Sequence, residues 1–216
     1  FRGNAPIDIY SEKTVEMIGR CQTITLHLED GDFKIEQFLD ASVNGVFMSY
    51  SFEGDASGEP ITVCFGINKG MDDAVCVENR ELHGKKFCFG ASQELSWGAV
   101  NQAIYLTVRA GETVHAFLSC GEKPVSALEI LSDFEGYERR MKDEIKSVVI
   151  PSGLSEEQRA LFLNAYFCSL QNYKCLGDYK AFMAGHHYLL PMRSYYRDSY
   201  YTVLPMYRGK TSLVRD

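Results

Sequence analysis

The sequence predicts a β-sandwich followed by an α-helical segment. It divides into an antiparallel β-sandwich domain over residues 1–130, a linker helix over 131–151 and the first helices of an all-α domain over 152–216. Three observations carry this. Short stretches of alternating apolar and polar residues, the period of a half-buried strand, recur from Cys21 to Ser119 with Gly, Asp, Asn and Ser clusters between them. An amphipathic helical stripe begins at Phe134. A third segment, Ala160–Leu170, is apolar nearly all round, which suits a helix packed on most of its surface.

Residues 1–20 show no single period. Ile7, Ile9 and Tyr10 suit the start of a strand, and Thr14–Ile18 suits a helical turn or extended chain. From Cys21 the pattern sharpens. Thr23–Glu29 alternates, Asp30-Gly31 signals a tight turn, and Phe33, Ile35 and Phe38 line the return strand. Further strands are predicted over Val46–Phe52, Ile61–Ile67, Ala74–Glu78, Lys86–Phe89, Ile104–Val108 and Thr113–Ser119. Many short strands with turn signals between them point to an antiparallel sandwich rather than βαβ units.

Ser132 and Glu135 have the spacing of a capping box, and Phe134, Tyr137, Met141, Ile145 and Val148 form one stripe. A helix over 133–147 with a solvated charged face follows. Pro151, Ser152 and Gly153 break the chain, and Ser155 with Gln158 forms a second box ahead of the apolar helix. That helix needs more neighbours than the chain supplies, so the all-α domain is expected to be incomplete here.

Composition narrows the function. With 216 residues, 45% hydrophobic, the chain can bury a sizeable core. Net charge is −7 with no basic run, which argues against a nucleic-acid or anionic-membrane partner. No apolar run approaches the roughly 20 residues of a membrane span. The seven Cys show no CxxC, so buried free thiols in a reducing, cytoplasmic setting are expected, with no metal and no cofactor. His27 is expected to face solvent, His83 to sit in a loop, and Trp97 to pack rather than form a sugar platform.

The densest chemistry lies in Gly185–Gly209, with two His, three Arg, one Asp and six Tyr. Such a mixture suits a polar pocket with aromatic walls, in which rings stack on sugar faces and charged groups bind hydroxyls in fixed directions. Arg197 offers a rigid fork of donors and Asp198 offers acceptors; together they can bind neighbouring hydroxyls of one pyranose. The structural alternative is that Asp198 caps a helix and Arg197 pairs with a distant carboxylate. Arg193, Tyr196 and His187 are further candidates for the same pocket.

Pro191-Met192-Arg193 followed by Tyr196-Arg197-Asp198-Ser199-Tyr200-Tyr201 resembles the first barrel motif of glucoamylase-type glycoside hydrolases. The resemblance implies a six-hairpin α/α toroid barrel, here only its start, preceded by a β-sandwich and a linker helix. It implies that Arg197 and Asp198 hold hydroxyls of the sugar at the cleavage site. It also implies an inverting mechanism on an α-linked glucoside or related oligosaccharide. Inversion needs an acid and a base roughly 6.5–9.5 Å apart. Both are expected beyond residue 216, so no catalytic residue is assigned and the chain alone is expected to be inactive. The expected partners are a carbohydrate substrate and the remainder of the same barrel. The rival readings are a glycoside phosphorylase of similar architecture, and a non-catalytic carbohydrate-binding or interaction module.

Overall fold

The computed structural model describes residues 1–3, 5–7, 12–40, 42–56, 58–66, 76–98, 102–121, 123–171, 173–176 and 179–182. The chain forms two units, one of Phe1–Glu16 with Cys21–Met141, the other of Met17–Arg20 with Lys142–Asp216. No described helix is long and apolar enough to cross a membrane.

The first unit is built from antiparallel β-sheet. Its strands are β1 (Lys13–Ile18), β2 (Cys21–Leu28), β3 (Gly31–Leu39), β4 (Gly45–Gly54), β5 (Ile61–Gly66), β6 (Cys76–Glu78), β7 (Glu81–His83), β8 (Phe87–Ala91), β9 (Ser96–Gly98), β10 (Ala103–Val108) and β11 (Thr113–Cys120). Eight of them form one sheet in the order β1-β2-β3-β4-β11-β8-β7-β6, and β5-β10-β9 form a second. The sheets share one apolar cluster. Leu26, Phe33, Tyr50, Phe52, Leu82, Phe89 and Val114 contribute from the larger sheet, and Ile61, Ile104, Leu106 and Val108 from the smaller.

The centre of the larger sheet's other face, around Phe47, is also buried. Phe47 stacks on Phe38 with centroids 4.6 Å apart and lies 4.7 Å from Phe117. Phe134 and Tyr137, from the first turn and a half of α2 (Phe134–Ser147), pack on the same ring. With both faces covered, β4 is buried at every position from Phe47 to Tyr50. Its large apolar and aromatic residues on both faces, Phe47 on one and Met48, Tyr50 and Phe52 on the other, follow from this central place.

Several expectations shift on contact with the fold. The β2–β3 loop is Glu29-Asp30, because Leu28 pairs with Gly31. Gly31 opens β3 at φ +150, where a Cβ would fall 2.3 Å from the Glu53 carbonyl oxygen, so glycine is required one place later than a turn position. Of the two conformations open for Thr14–Ile18, the chain takes the extended one, as part of β1. His83 ends a strand rather than lying in a loop. Ser132 does not open α2. It closes α1 (Ala127–Leu131), donating its hydroxyl to the Glu129 carbonyl at 2.6 Å, while the Asp133 carboxylate sits against Gly136 in the first turn of α2.

In the second unit, α3 (Glu156–Gln171) begins as predicted. The Ser155 N–H donates to Gln158 Oε1 at 2.9 Å, and the Gln158 N–H donates to Ser155 Oγ at 3.3 Å. Leu163, Tyr166 and Phe167 are buried with Val148, whereas Leu161 is 70% exposed. Asn164 holds the Met17–Arg20 turn, donating to the Met17 carbonyl at 2.8 Å and accepting from the Gly19 N–H at 2.7 Å. Gly19 has φ +63, and the Phe167 ring lies where a Cβ would be. Arg20 pairs with Glu144 at 3.4 Å above the same ring. The backbone of Tyr173–Leu176 and Tyr179–Phe182 forms a two-stranded hairpin, β12–β13.

Candidate functional site

The predicted sugar-binding residues His187, Arg193, Tyr196, Arg197 and Asp198 lie outside the described residues. Within the described part, two places combine accessibility with chemistry, and both are in the first unit.

The first is a cleft on the outer face of the smaller sheet. Alternation along β5 sends Ile61 into the core and turns Thr62, Cys64 and Gly66 outward. Antiparallel register then sets Tyr105 opposite Cys64 and Ala103 opposite Gly66. The Tyr105 ring lies against Gly98, leaving no room for a side chain there, whereas the space above Gly66 is open. Phe1, Gly3 and these residues enclose about 560 Å³, within the roughly 300–1,000 Å³ of small-molecule sites. Trp97 faces the other way and packs on the core, as the sequence reading expected.

The second is the Glu81–His83–Cys88 cluster on the β7–β8 hairpin. Glu81 and His83 are two residues apart on β7 and share its outer face, while Leu82 between them is fully buried in the core. Cys88 on β8 is the cross-strand partner of His83. The carboxylate of Glu81 is buried and fully engaged. Its Oε1 accepts from Ser126 Oγ at 2.7 Å, from the Leu128 N–H at 2.8 Å and from Cys88 Sγ at 3.5 Å. Its Oε2 lies 3.3 Å from His83 Nε2. Gly90, opposite Glu81, allows α1 to approach, since a Cβ there would stand 2.7 Å from that of Ala127.

These contacts set the protonation states. Burial raises the Glu81 carboxyl, but the hydrogen bonds from Leu128, Ser126 and Cys88 and the nearby His83 outweigh it and hold the group below its ordinary value. Burial pushes the Cys88 thiol up to about 11, with the Glu81 charge adding to the effect. The cluster therefore ties the short helix α1 to the sheet, a carboxylate satisfying backbone and hydroxyl donors in a part-buried site.

Sequence reasoning passed over this cluster. The available signal is the spacing Glu81-x-His83-x4-Cys88 around Gly84, which places three donors on one face only if a hairpin turns between them. Two other histidines are accounted for locally. His27, expected to be solvated, has Nδ1 2.9 Å from Asp32 Oδ1 and Nε2 2.9 Å from Thr14 Oγ1. His115 stacks on Phe134 at 4.0 Å with its Nδ1 buried and unpartnered. Among the described cysteines with a known burial, Cys88 alone is buried; Cys21, Cys64 and Cys120 are half-buried and Cys168 is exposed.

No protein-family model matches the chain, and no curated protein gives a significant match.

Proposed function

We propose that this chain is the N-terminal part of a glycoside hydrolase, acting with inversion on an α-linked glucoside or related oligosaccharide. The observation that carries the reading is an order of parts. A β-rich unit is followed by the amphipathic helix α2 and the helix α3, and then by the Tyr196-Arg197-Asp198 motif. In this reading the Arg197 guanidinium and the Asp198 carboxylate grip adjacent hydroxyls of the sugar at the cleavage site, with Arg193, Tyr196 and His187 around it. They position the ring; the proton donor and the base that activates water come from elsewhere in the barrel.

The test is sugar release by the protein carrying this chain, from α- and β-linked disaccharides, with and without phosphate, beside Asp198→Ala. The expected result is phosphate-independent hydrolysis that the substitution lowers about 100-fold or more, equivalent to about 2.7 kcal/mol of transition-state binding. Phosphate-dependent release would replace the hydrolase with a phosphorylase. Turnover untouched by the substitution would return Asp198 to a helix-capping role.

A second reading, carbohydrate binding without catalysis, is favoured by the Tyr105 cleft, where a ring stands beside Thr62 and the open space over Gly66. Saturable oligosaccharide binding that Tyr105→Ala abolishes, in a protein without turnover, would select it.

A further inference from the structure

We propose that Glu81, His83 and Cys88 bind a divalent transition-metal ion, Zn2+ by the chemistry of the donors. Neither the glycosidase reading nor its motif enters into this.

The geometry comes first. One donor atom from each of the three residues lies within 4.8 Å of the other two. Glu81 Oε2 lies 3.3 Å from His83 Nε2, while the other carboxylate oxygen, Oε1, lies 3.5 Å from Cys88 Sγ. Metal–ligand distances of about 2.0–2.3 Å in a tetrahedral zinc site put ligand atoms roughly 3.3–3.8 Å apart. The Glu81 Oε2–His83 Nε2 pair already has this spacing, and rotation of the Cys88 side chain brings the thiolate towards it.

The sheet supplies the arrangement. His83 on β7 pairs with Cys88 on β8, so two adjacent strands present an imidazole and a thiol side by side. Cross-strand partners share a face, with Cβ atoms about 4.5–5.5 Å apart. Glu81 extends this pair along β7. A set of sulfur, imidazole and carboxylate donors suits Zn2+, whereas Mg2+ and Ca2+ take oxygen.

The surroundings fit a ligating carboxylate. Ser126 Oγ and the Leu128 N–H hold Oε1, which fixes the carboxylate plane and leaves Oε2 towards His83. Anchoring of one oxygen by hydrogen bonds is the usual support of a metal-bound carboxylate. A structural lock for α1 needs only Glu81, Ser126 and Leu128; it does not require the imidazole and the thiol to converge on the same carboxylate. The His83 side chain is 41% exposed and gives an ion access from solvent, while Glu81 is 11% exposed. On binding, Cys88 gives its proton to solvent and the thiolate forms the metal–sulfur bond, with no change of oxidation state.

The experiment is titration of the purified, chelator-stripped protein with Zn2+ and with Co2+, beside His83→Gln, Cys88→Ser and Cys168→Ser. The expected result is one ion per chain with Kd at or below about 1 μM. The Co2+ form should show a thiolate-to-cobalt charge-transfer band and the strong visible bands of a tetrahedral site. His83→Gln and Cys88→Ser should each weaken binding by about 100-fold or more, and Cys168→Ser should leave it unchanged. His83 is partly exposed, so its variant is expected to stay folded, which circular dichroism without metal checks. Absence of the charge-transfer band, or tight binding that survives both ligand substitutions, overturns the proposal.

Discussion

Removing the charge at Glu81 tests whether a buried carboxylate ties α1 to the larger sheet. The perturbation is Glu81→Gln, measured with chelator present so that only the protein's own contacts are read. In the native protein Glu81 accepts from Ser126 Oγ at 2.7 Å and from the Leu128 N–H at 2.8 Å, and its residue is 8% exposed. Hydrogen bonds to a charged group contribute about 1.5–3 kcal/mol each and neutral ones about 0.5–1.5. Converting two of the first kind to the second costs about 2 kcal/mol, reduced by whatever desolvation the lost charge no longer suffers. Glu81→Ala goes further and leaves two part-buried donors without the carboxylate, for about 2–4 kcal/mol in total. At about 3–5 °C per kcal/mol for a unit of this size, Tm should fall by about 6–10 °C for the Gln variant. The assay is thermal unfolding by circular dichroism at neutral pH and again in acid. Glu81 titrates below its ordinary value of 4.5 in the folded protein. Its contribution is therefore complete above that pH and is lost as pH falls through the lower folded value, so the gap between native and variant should close in acid. A Tm within about 2 °C of the native value at neutral pH would refute the reasoning, as would a gap that widens in acid.

Two other predictions concern local devices. Gly19→Ala forces a side chain onto a φ of +63 and against the Phe167 ring, whose nearest atom would be 2.6 Å from the new Cβ. The cost should be about 2–4 kcal/mol, read as at least tenfold faster hydrogen exchange of the Gly19 amide; unchanged exchange would mean that the ring moves aside freely. For His115, burial lowers the imidazole from 6.5 against the pull of Glu138, Glu135 and Glu36. The unfolded chain then gains a proton near 6.5 that the folded chain refuses, so stability is full above that pH and declines below it. Denaturant titrations from pH 7.5 to 5.5 should show this decline, and His115→Phe should flatten it; an equal slope in both proteins would assign the dependence to other groups.

Features with a local cause can be read along the chain. Alternation announced β2, β3, β4, β5, β8, β10 and β11, and the helical stripe from Phe134 announced α2. The Ser155–Gln158 box was legible because both hydrogen bonds close within three residues. Tyr196-Arg197-Asp198 was legible as chemistry, a charge pair among rings, and stands as a proposal. The three-residue strands β7 and β9 and the five-residue helix α1 were not foreseen, since so short a segment has no period of its own and exists only because a neighbour pairs with it or caps it.

The remaining features depend on contacts between distant segments. Ser132 and Glu135 have the spacing of a cap, yet Ser132 was taken by α1, a competition invisible until α1 exists. Which residues of α3 are buried could not be read from a segment apolar on every side. The Asn164 clasp joins residues 147 and 145 positions away. The Glu81–His83–Cys88 cluster depends on register: a one-residue slip between β7 and β8 would send Cys88 to the core face and remove the site. Patterns along a chain report which way a side chain faces, whereas the partner it meets there is set by the pairing of distant segments.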